Sequence, residues 1–465
     1  MPDPIVAKIQ DWLRSHEDEL LQDTQTMLRF ASVEGEAAPN APYGPENRQA
    51  LDFALGLCEK WGLTTKDLEG HAGWGEFGQG DRLVVSLGHL DVVPVGHGWK
   101  HEPFGAEIDE GYIYSRGSTD DKGPTMASLY AMRAIKEVCP NIPARMRQVF
   151  GCDEESGFKC VERYMETEEP PTLGVAPDSG WPCCHAEKGI ADFVVSTPLP
   201  AGEFELLEVT GGQRPNIVID ACSARVKVAA SARKHVDEKL GDAWDANLSF
   251  AWDGDVLNIN AKGKACHGSI PFGGDNAAIR VFRFLAEIAP LSCQSNYEEI
   301  FLMGHISGVG LGIHGRDDVS KDLTSNLGVV ETKDGKLEML FNIRYPVTWK
   351  GEEMAERCRE YLAGLRHSFT LEVVRDSPSL YFPLEHPLVS TICEVVKAET
   401  GEERPPIVMG GGTYARAIPN TVSIGTGWEG DGNAHETDER LKVDHLFKMS
   451  RIYAHILYRL AMLSQ

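Results

Sequence analysis

The chain reads as an α/β protein: a mixed, largely parallel sheet with flanking helices, interrupted by an inserted α+β domain. Three observations carry that reading. Up to about residue 185, short apolar runs alternate with helical stretches, the pattern of a parallel sheet covered by helices. The middle of the chain turns to alternating, β-rich segments. Beyond Pro387 helical periodicity returns. One domain is therefore expected from both ends of the chain, residues 1–186 and 385–465, with residues 187–384 forming a second between them.

The elements follow in order. Ile5, Ile9, Trp12, Leu13, Leu20 and Leu21 recur at helical spacing near the N-terminus. Arg82–Leu87 (RLVVSL), Arg145–Phe150 and Leu173–Ala176 are short apolar runs that end at Gly88, Gly151 and Pro177. Each fits a buried strand. Between the first two, Pro124–Val138 has good helix formers behind a proline suited to a helix start. In the middle, Ile217–Ala230 and Val256–Ala261 read as strands. Leu337–Tyr345 places Leu337, Met339, Phe341 and Ile343 on one strand face. Asn276–Ile288 and Glu352–Leu365 read as helices. Leu388–Glu399 and a closing helix around Val443–Leu463 complete the chain.

Composition excludes several classes. A 465-residue chain is too long for one ordinary core. Hydrophobic residues at 42% and charged residues at 25% fit a folded globular protein. A formal charge of −25 argues against a nucleic-acid partner, because phosphate binding needs basic surface. No stretch of apolar residues is long enough to span a bilayer, so no membrane segment is expected. The N-terminus lacks the basic start and apolar core of a signal peptide. The 11 cysteines show no scaffold spacing and no CxxC pair, which fits reduced thiols in the cytoplasm.

Five segments carry chemistry. His89 and Asp91 stand in a His-x-Asp pair where a strand ends, and open α/β sheets collect ligands at such ends. Asp120 and Asp121 precede a helix, where either could equally be an N-cap. Asp153, Glu154 and Glu155 follow the next strand; they read as a solvated acidic turn or as a site that gathers positive charge. Asp178 follows the third strand, where a turn aspartate is the plain alternative. His435 comes late in the chain. Three of these segments follow three successive strands and would meet at one sheet edge. Two histidines and three carboxylates are the donors that two zinc ions take, about 3.5–4 Å apart when one carboxylate is shared.

The order His-x-Asp, Gly-x-x-Asp-Asp-Lys-Gly, Asp-Glu-Glu, Pro-Asp and a late histidine resembles the co-catalytic zinc peptidases of family M20. These include carboxypeptidase G, acetylornithine deacetylase, succinyl-diaminopimelate desuccinylase and carnosinase. The match runs over nearly the whole chain. CDEESG, GGQRPNIVIDAC, GKACHGSIPFGGDNA, FNIRYP and GGGTYAR resemble the PepV-type dipeptidases more specifically. The resemblance implies a zinc-peptidase catalytic domain with an inserted lid. It implies that His89 and Asp178 hold one metal, that Glu155 and His435 hold the other, and that Asp120 bridges both with a cis peptide after it. Glu154 becomes the general base, and Asp91 the residue that fixes the tautomer of His89. His267 would stabilise an oxyanion. Asn216, Arg344, Gly411, Gly412 and Thr413 would bind substrate, with Arg344 clamping a carboxylate.

The implied activity is hydrolysis of dipeptides with a free N-terminus by a dinuclear site. The implied cofactors are two zinc ions, with manganese or cobalt as alternatives. An N-acyl amino acid deacylase or desuccinylase would use the same core, and a scaffold that had lost catalysis would lack a ligand or the base. Two departures from the family stand out. The insertion is longer than the lid of dimeric members, as in PepV-type enzymes, which implies a monomer. Ser179 stands where alanine or glycine is expected.

Overall fold

The computed structural model describes residues 3–242, 245–432 and 434–463. The chain divides into two compact units. The first comprises Met1–His185, Phe382–Ile407 and Thr413–Gln465; the second comprises Ala186–Tyr381 and Val408–Gly412. The short stretch Val408–Gly412 belongs with the second unit although it follows residue 385 in the chain.

The first unit is built on a mixed sheet. Its four central strands, Arg145–Gly151, Leu83–His89, Leu173–Ser179 and Thr421–Gly425, lie side by side in that order and run parallel. Thr64–Asp67 and Ala72–Gly78 extend one side in antiparallel fashion, and Cys183–Glu187 pairs antiparallel with Thr421–Gly425 on the other. Leu83–His89 is buried along its whole length, as expected of a central strand covered on both faces. Helix Lys122–Val138 packs on these strands and on the closing helix Val443–Met462, which also contacts helices Pro4–Arg14 and Pro387–Thr400. Burying a side chain such as Leu87, with none of its surface exposed, contributes about 1.5–3 kcal/mol.

Register decides where the strands deliver their side chains. His89 pairs with Gly151, and Ser86 with Val175. The carboxyl ends of three adjacent parallel strands are therefore level, and the loops that leave them share one edge. Two strand-end glycines keep that edge tight. A Cβ at Gly88 would overlap the Thr125 hydroxyl and approach Asp121 to 3.0 Å. A Cβ at Gly151 would overlap the hydroxyl of Tyr414.

The second unit contains an eight-stranded sheet, entirely antiparallel, in the order Leu248–Asp253, Val256–Lys262, Ala221–Val228, Phe204–Gly211, Thr324–Lys333, Lys336–Tyr345, Gly189–Pro198 and Thr370–Ser377. Helix Ala277–Ile288 covers two of these strands and is capped by Asn276, whose side chain accepts from the N–H groups of Ala278 and Ile279. Leu337, Met339, Phe341 and Ile343 are fully buried in this unit's core, as their alternation predicts. The strand expected over Ile217–Ala230 is shorter, Ala221–Val228, because the chain behind Pro215 turns, with Ile217 N–H donating to Arg214 O. All eleven cysteines are free thiols. Among the described residues, no helix is long and apolar enough to cross a membrane.

The close approach at Gly88 gives a test. Gly88→Ala must push the start of helix Lys122–Val138 off the strand end. It is expected to cost the first unit about 1–3 kcal/mol of stability while leaving the second unit's unfolding unmoved, as read by urea denaturation with limited proteolysis.

Candidate metal centre

His89 is the last residue of its strand and is completely buried. Its Nδ1 lies 3.0 Å from the backbone carbonyl of Asp91. A carbonyl only accepts, so Nδ1 carries the hydrogen and the neutral ring presents a lone pair at Nε2. That Nε2 faces Oδ1 of Asp120 at 3.0 Å. Two acceptors at this distance need a proton or a cation between them. Without a cation, a proton serves: against burial, which favours the neutral ring, the bonds to Asp120 and Asp91 hold the His89 pKa well above its ordinary value.

Asp120 precedes helix Lys122–Val138, and its peptide bond to Asp121 is cis. Its second oxygen, Oδ2, lies 3.1 Å from Nε2 of His435. The same Nε2 lies 3.0 Å from Oε1 of Glu155. Hydrogen bonds to Asp120 and Glu155 push the His435 pKa up to about 10. Asp120 thus turns one carboxylate oxygen to each histidine. Asp178, near the end of its strand, accepts from Tyr414 N–H at 3.3 Å and lines a cavity of about 340 Å³ together with Asp120, Thr119 and Trp428. Burial and the charge of Asp120 raise its pKa to about 7.

The turn bearing Glu154 and Glu155 is folded by two aspartates. Asp153 is buried and accepts from Ser156 Oγ at 2.5 Å and from Lys159 N–H at 3.0 Å. Asp91 accepts from the N–H of Glu154 at 3.1 Å and of Glu155 at 3.0 Å, one on each oxygen. Asp91 reaches His89 as well, through two groups. Its backbone carbonyl is the nearer acceptor for Nδ1, a carboxylate oxygen stands 3.6 Å from the same nitrogen, and that carboxylate also holds the acidic turn. Glu154 is half-buried. Its pKa is held well above the carboxylate range by burial and by the negative charge of Asp178, Glu155 and Asp120, against the opposing pull of His89.

The donor set fits cations. Atoms of His89, Asp120 and Glu155 lie within 4.8 Å of one another. Zinc–nitrogen and zinc–oxygen bonds of about 2.0–2.1 Å at tetrahedral angles set two ligands of one ion roughly 3.3 Å apart. The observed pairs, His89–Asp120 at 3.0 Å, His435–Asp120 at 3.1 Å and His435–Glu155 at 3.0 Å, come close to that separation. Asp178 lies outside the tightest cluster but shares the cavity with Asp120.

The second unit gathers its own group. His267 Nδ1 accepts from Ser269 N–H at 3.2 Å and sits 2.7 Å from Ser269 Oγ, so the neutral ring carries its hydrogen on Nε2. Burial, and then the charge of Arg344, lower its pKa and keep it neutral. Asn216 lies against the same turn, its carbonyl accepting from Gly268 N–H at 2.7 Å. Arg344 is only 5% exposed. Its Nε donates to Asn342 Oδ1 at 2.9 Å, and Nη1 donates to Gly410 O at 3.2 Å, next to Gly411 and Gly412. Thr413 belongs to the first unit, where its hydroxyl oxygen accepts from Ala415 N–H at 3.3 Å and caps the short turn Tyr414–Ala417.

Sequence reasoning missed Asp121, Tyr414, Arg116 and Glu439. Asp121 accepts from His89 N–H at 3.2 Å and from Thr125 Oγ1 at 2.9 Å. Its place beside Asp120 was the available signal.

Fold and cluster together define a two-unit α/β protein whose parallel-sheet unit carries a histidine–carboxylate group able to hold metal. The chain belongs to peptidase family M20/M25/M40, whose family profile matches residues 85–459. It is 36% identical over 463 residues to a Bacillus subtilis (strain 168) protein named "Putative dipeptidase YtjP", covering 97% of this chain and 98% of the relative. Among solved structures, human carnosine dipeptidase 1 superposes over all of both chains with a TM-score of 0.55 at 16% identity. A dinuclear metal-binding peptidase of this family from Bacillus subtilis does so with a TM-score of 0.51 at 11% identity, over 96% of this chain and 99% of the other.

The Asp91 geometry yields a prediction. In Asp91→Asn an amide NH₂ replaces one of the two oxygens that hold the Glu154–Glu155 turn. Metal affinity is expected to fall about 10–100-fold, measured by chelator competition; unchanged affinity would contradict the assignment.

Proposed function

We propose that the chain is a dipeptidase that cleaves small peptides with a free N-terminus at a dinuclear metal site. One observation carries the reading: Asp120 presents Oδ1 to His89 and Oδ2 to His435 at near-equal distances, as a carboxylate shared by two ions must. His89 and Asp178 would hold one ion, Glu155 and His435 the other, and Asp120 would serve both. Imidazole with carboxylates suits zinc, with manganese and cobalt as alternatives. Bound there, the ions supply Lewis-acid polarisation of the scissile carbonyl and lower the pKa of attacking water to about 7.

The chain's own residues do the rest. Glu154 accepts the proton of the attacking water and delivers it to the leaving amine. A carboxyl with a raised pKa suits that exchange. His267, neutral with hydrogen on Nε2, donates to the oxyanion. Arg344 receives the substrate carboxylate, assisted by Asn216, Gly411, Gly412 and Thr413. The name of the Bacillus subtilis relative favours a dipeptide over an N-acyl amino acid. The chain acts as a monomer, and its eleven free thiols suit a reducing, cytoplasmic setting.

Assay against paired free-amine dipeptides and N-acyl amino acids tests substrate class. Glu154→Gln is expected to lower kcat by about 10²–10⁴-fold with bound metal retained. Turnover that survives both exhaustive chelation and Glu154→Ala would overturn the mechanism, and preference for the N-acyl series would overturn the substrate.

A further inference from the structure

The ligands proposed for the two ions are held in unequal ways. His89 and Asp178 sit on parallel strands. His435 instead stands outside any strand or helix, in a left-handed backbone conformation at φ 66°, with its side chain half exposed. Something else must hold it. The groups that do so converge on one buried ion pair. Arg116 Nη1 lies 2.7 Å from Glu439 Oε2, and the two side chains are 2% and 0% exposed. Arg116 also donates to the His435 carbonyl at 3.4 Å and to the Glu436 carbonyl at 3.1 Å. Through Oε1, Glu439 accepts from Thr119 N–H at 2.9 Å, Thr119 Oγ1 at 3.0 Å and Asp120 N–H at 3.3 Å. One ion pair therefore ties the backbone of the bridging aspartate to the backbone of the late histidine.

We propose that Arg116 and Glu439 are positioning residues that set Asp120 against His435 and so assemble the Glu155–His435 metal position, leaving the His89–Asp178 position to the strands. Neither side chain touches a ligand side-chain atom in these bonds; both act through backbone N–H and C=O groups. A buried pair of this kind is poor evidence for stability, since apolar residues of similar size replace such pairs at little or no cost. It gains its meaning from what it aligns. The inference rests on the dinuclear reading above.

The test is metal binding to the full-length apo-protein, with zinc as the titrant in calorimetry and chelator competition. Glu439→Gln keeps an acceptor for the Thr119 and Asp120 N–H groups but removes the charge from Arg116. The double variant Arg116→Met/Glu439→Leu removes both charges and strands neither. Wild type is expected to bind two ions. Both variants, with circular dichroism close to wild type, are expected to lose at least tenfold in affinity for the second ion and less for the first, which the strands also hold, with a fall in kcat larger than any change in KM. Should the double variant fail to fold, Glu439→Gln decides. Two ions held as tightly in folded variants as in wild type would overturn the clamp alone. A wild type that binds a single ion would overturn the dinuclear reading, and the clamp with it.

Discussion

Asp91, Asp120, Glu154, Glu155 and Asp178 crowd the carboxyl edge of four parallel strands, and the repulsion among them has to be met by positive charge. Burial and like charge raise the pKa of Glu154 and Asp178, while the two histidines beside Asp120 are drawn toward protonation. For the two carboxyls burial acts first and like charge adds to it; for the two histidines the neighbouring carboxylates do the work. Cations among these donors relieve the same imbalance without spending protons. That is why a site assembled from acids and imidazoles, at near ligand–ligand distances, is better understood as a metal centre than as a hydrogen-bonded cluster.

The fold serves that edge. Level register delivers His89, the acidic turn and Asp178 from neighbouring strands. Gly88 and Gly151 let Thr125 and Tyr414 come close behind them. Asp91 and Asp153 fold the turn so that Glu154 and Glu155, adjacent in sequence, can be put to different uses. The second unit works on other principles: its antiparallel sheet offers one face to a core and the other to polar groups such as Arg344 and Asn342. His267 has its pKa lowered by burial, and its tautomer is chosen by a backbone N–H, which leaves the ring hydrogen on Nε2.

The strands Leu83–His89, Arg145–Gly151 and Leu173–Ser179 were legible because buried parallel strands are short apolar runs, and the acids that follow them stand out against that background. Ala72–Gly78 was not legible; three of its seven residues are glycine, so it carries little strand signal of its own. Arg344 was legible from alternation, which put it opposite Leu337, Met339, Phe341 and Ile343. Arg116 and Glu439 were not, because they act through backbone atoms far apart in sequence, and no residue pattern marks such a contact. Asp91 shows the limit between the two: its place two residues after His89 was visible, but not that its carboxylate also accepts from the Glu154 and Glu155 N–H groups and so holds the turn.

The proposed site sets one ion on each side of Asp120. Anomalous diffraction from crystals grown with zinc, recorded on both sides of the zinc absorption edge, tests it most directly. Two peaks are expected, one among His89, Asp120 and Asp178 and one among Asp120, Glu155 and His435. A single peak, or zinc bound away from Asp120, would contradict it.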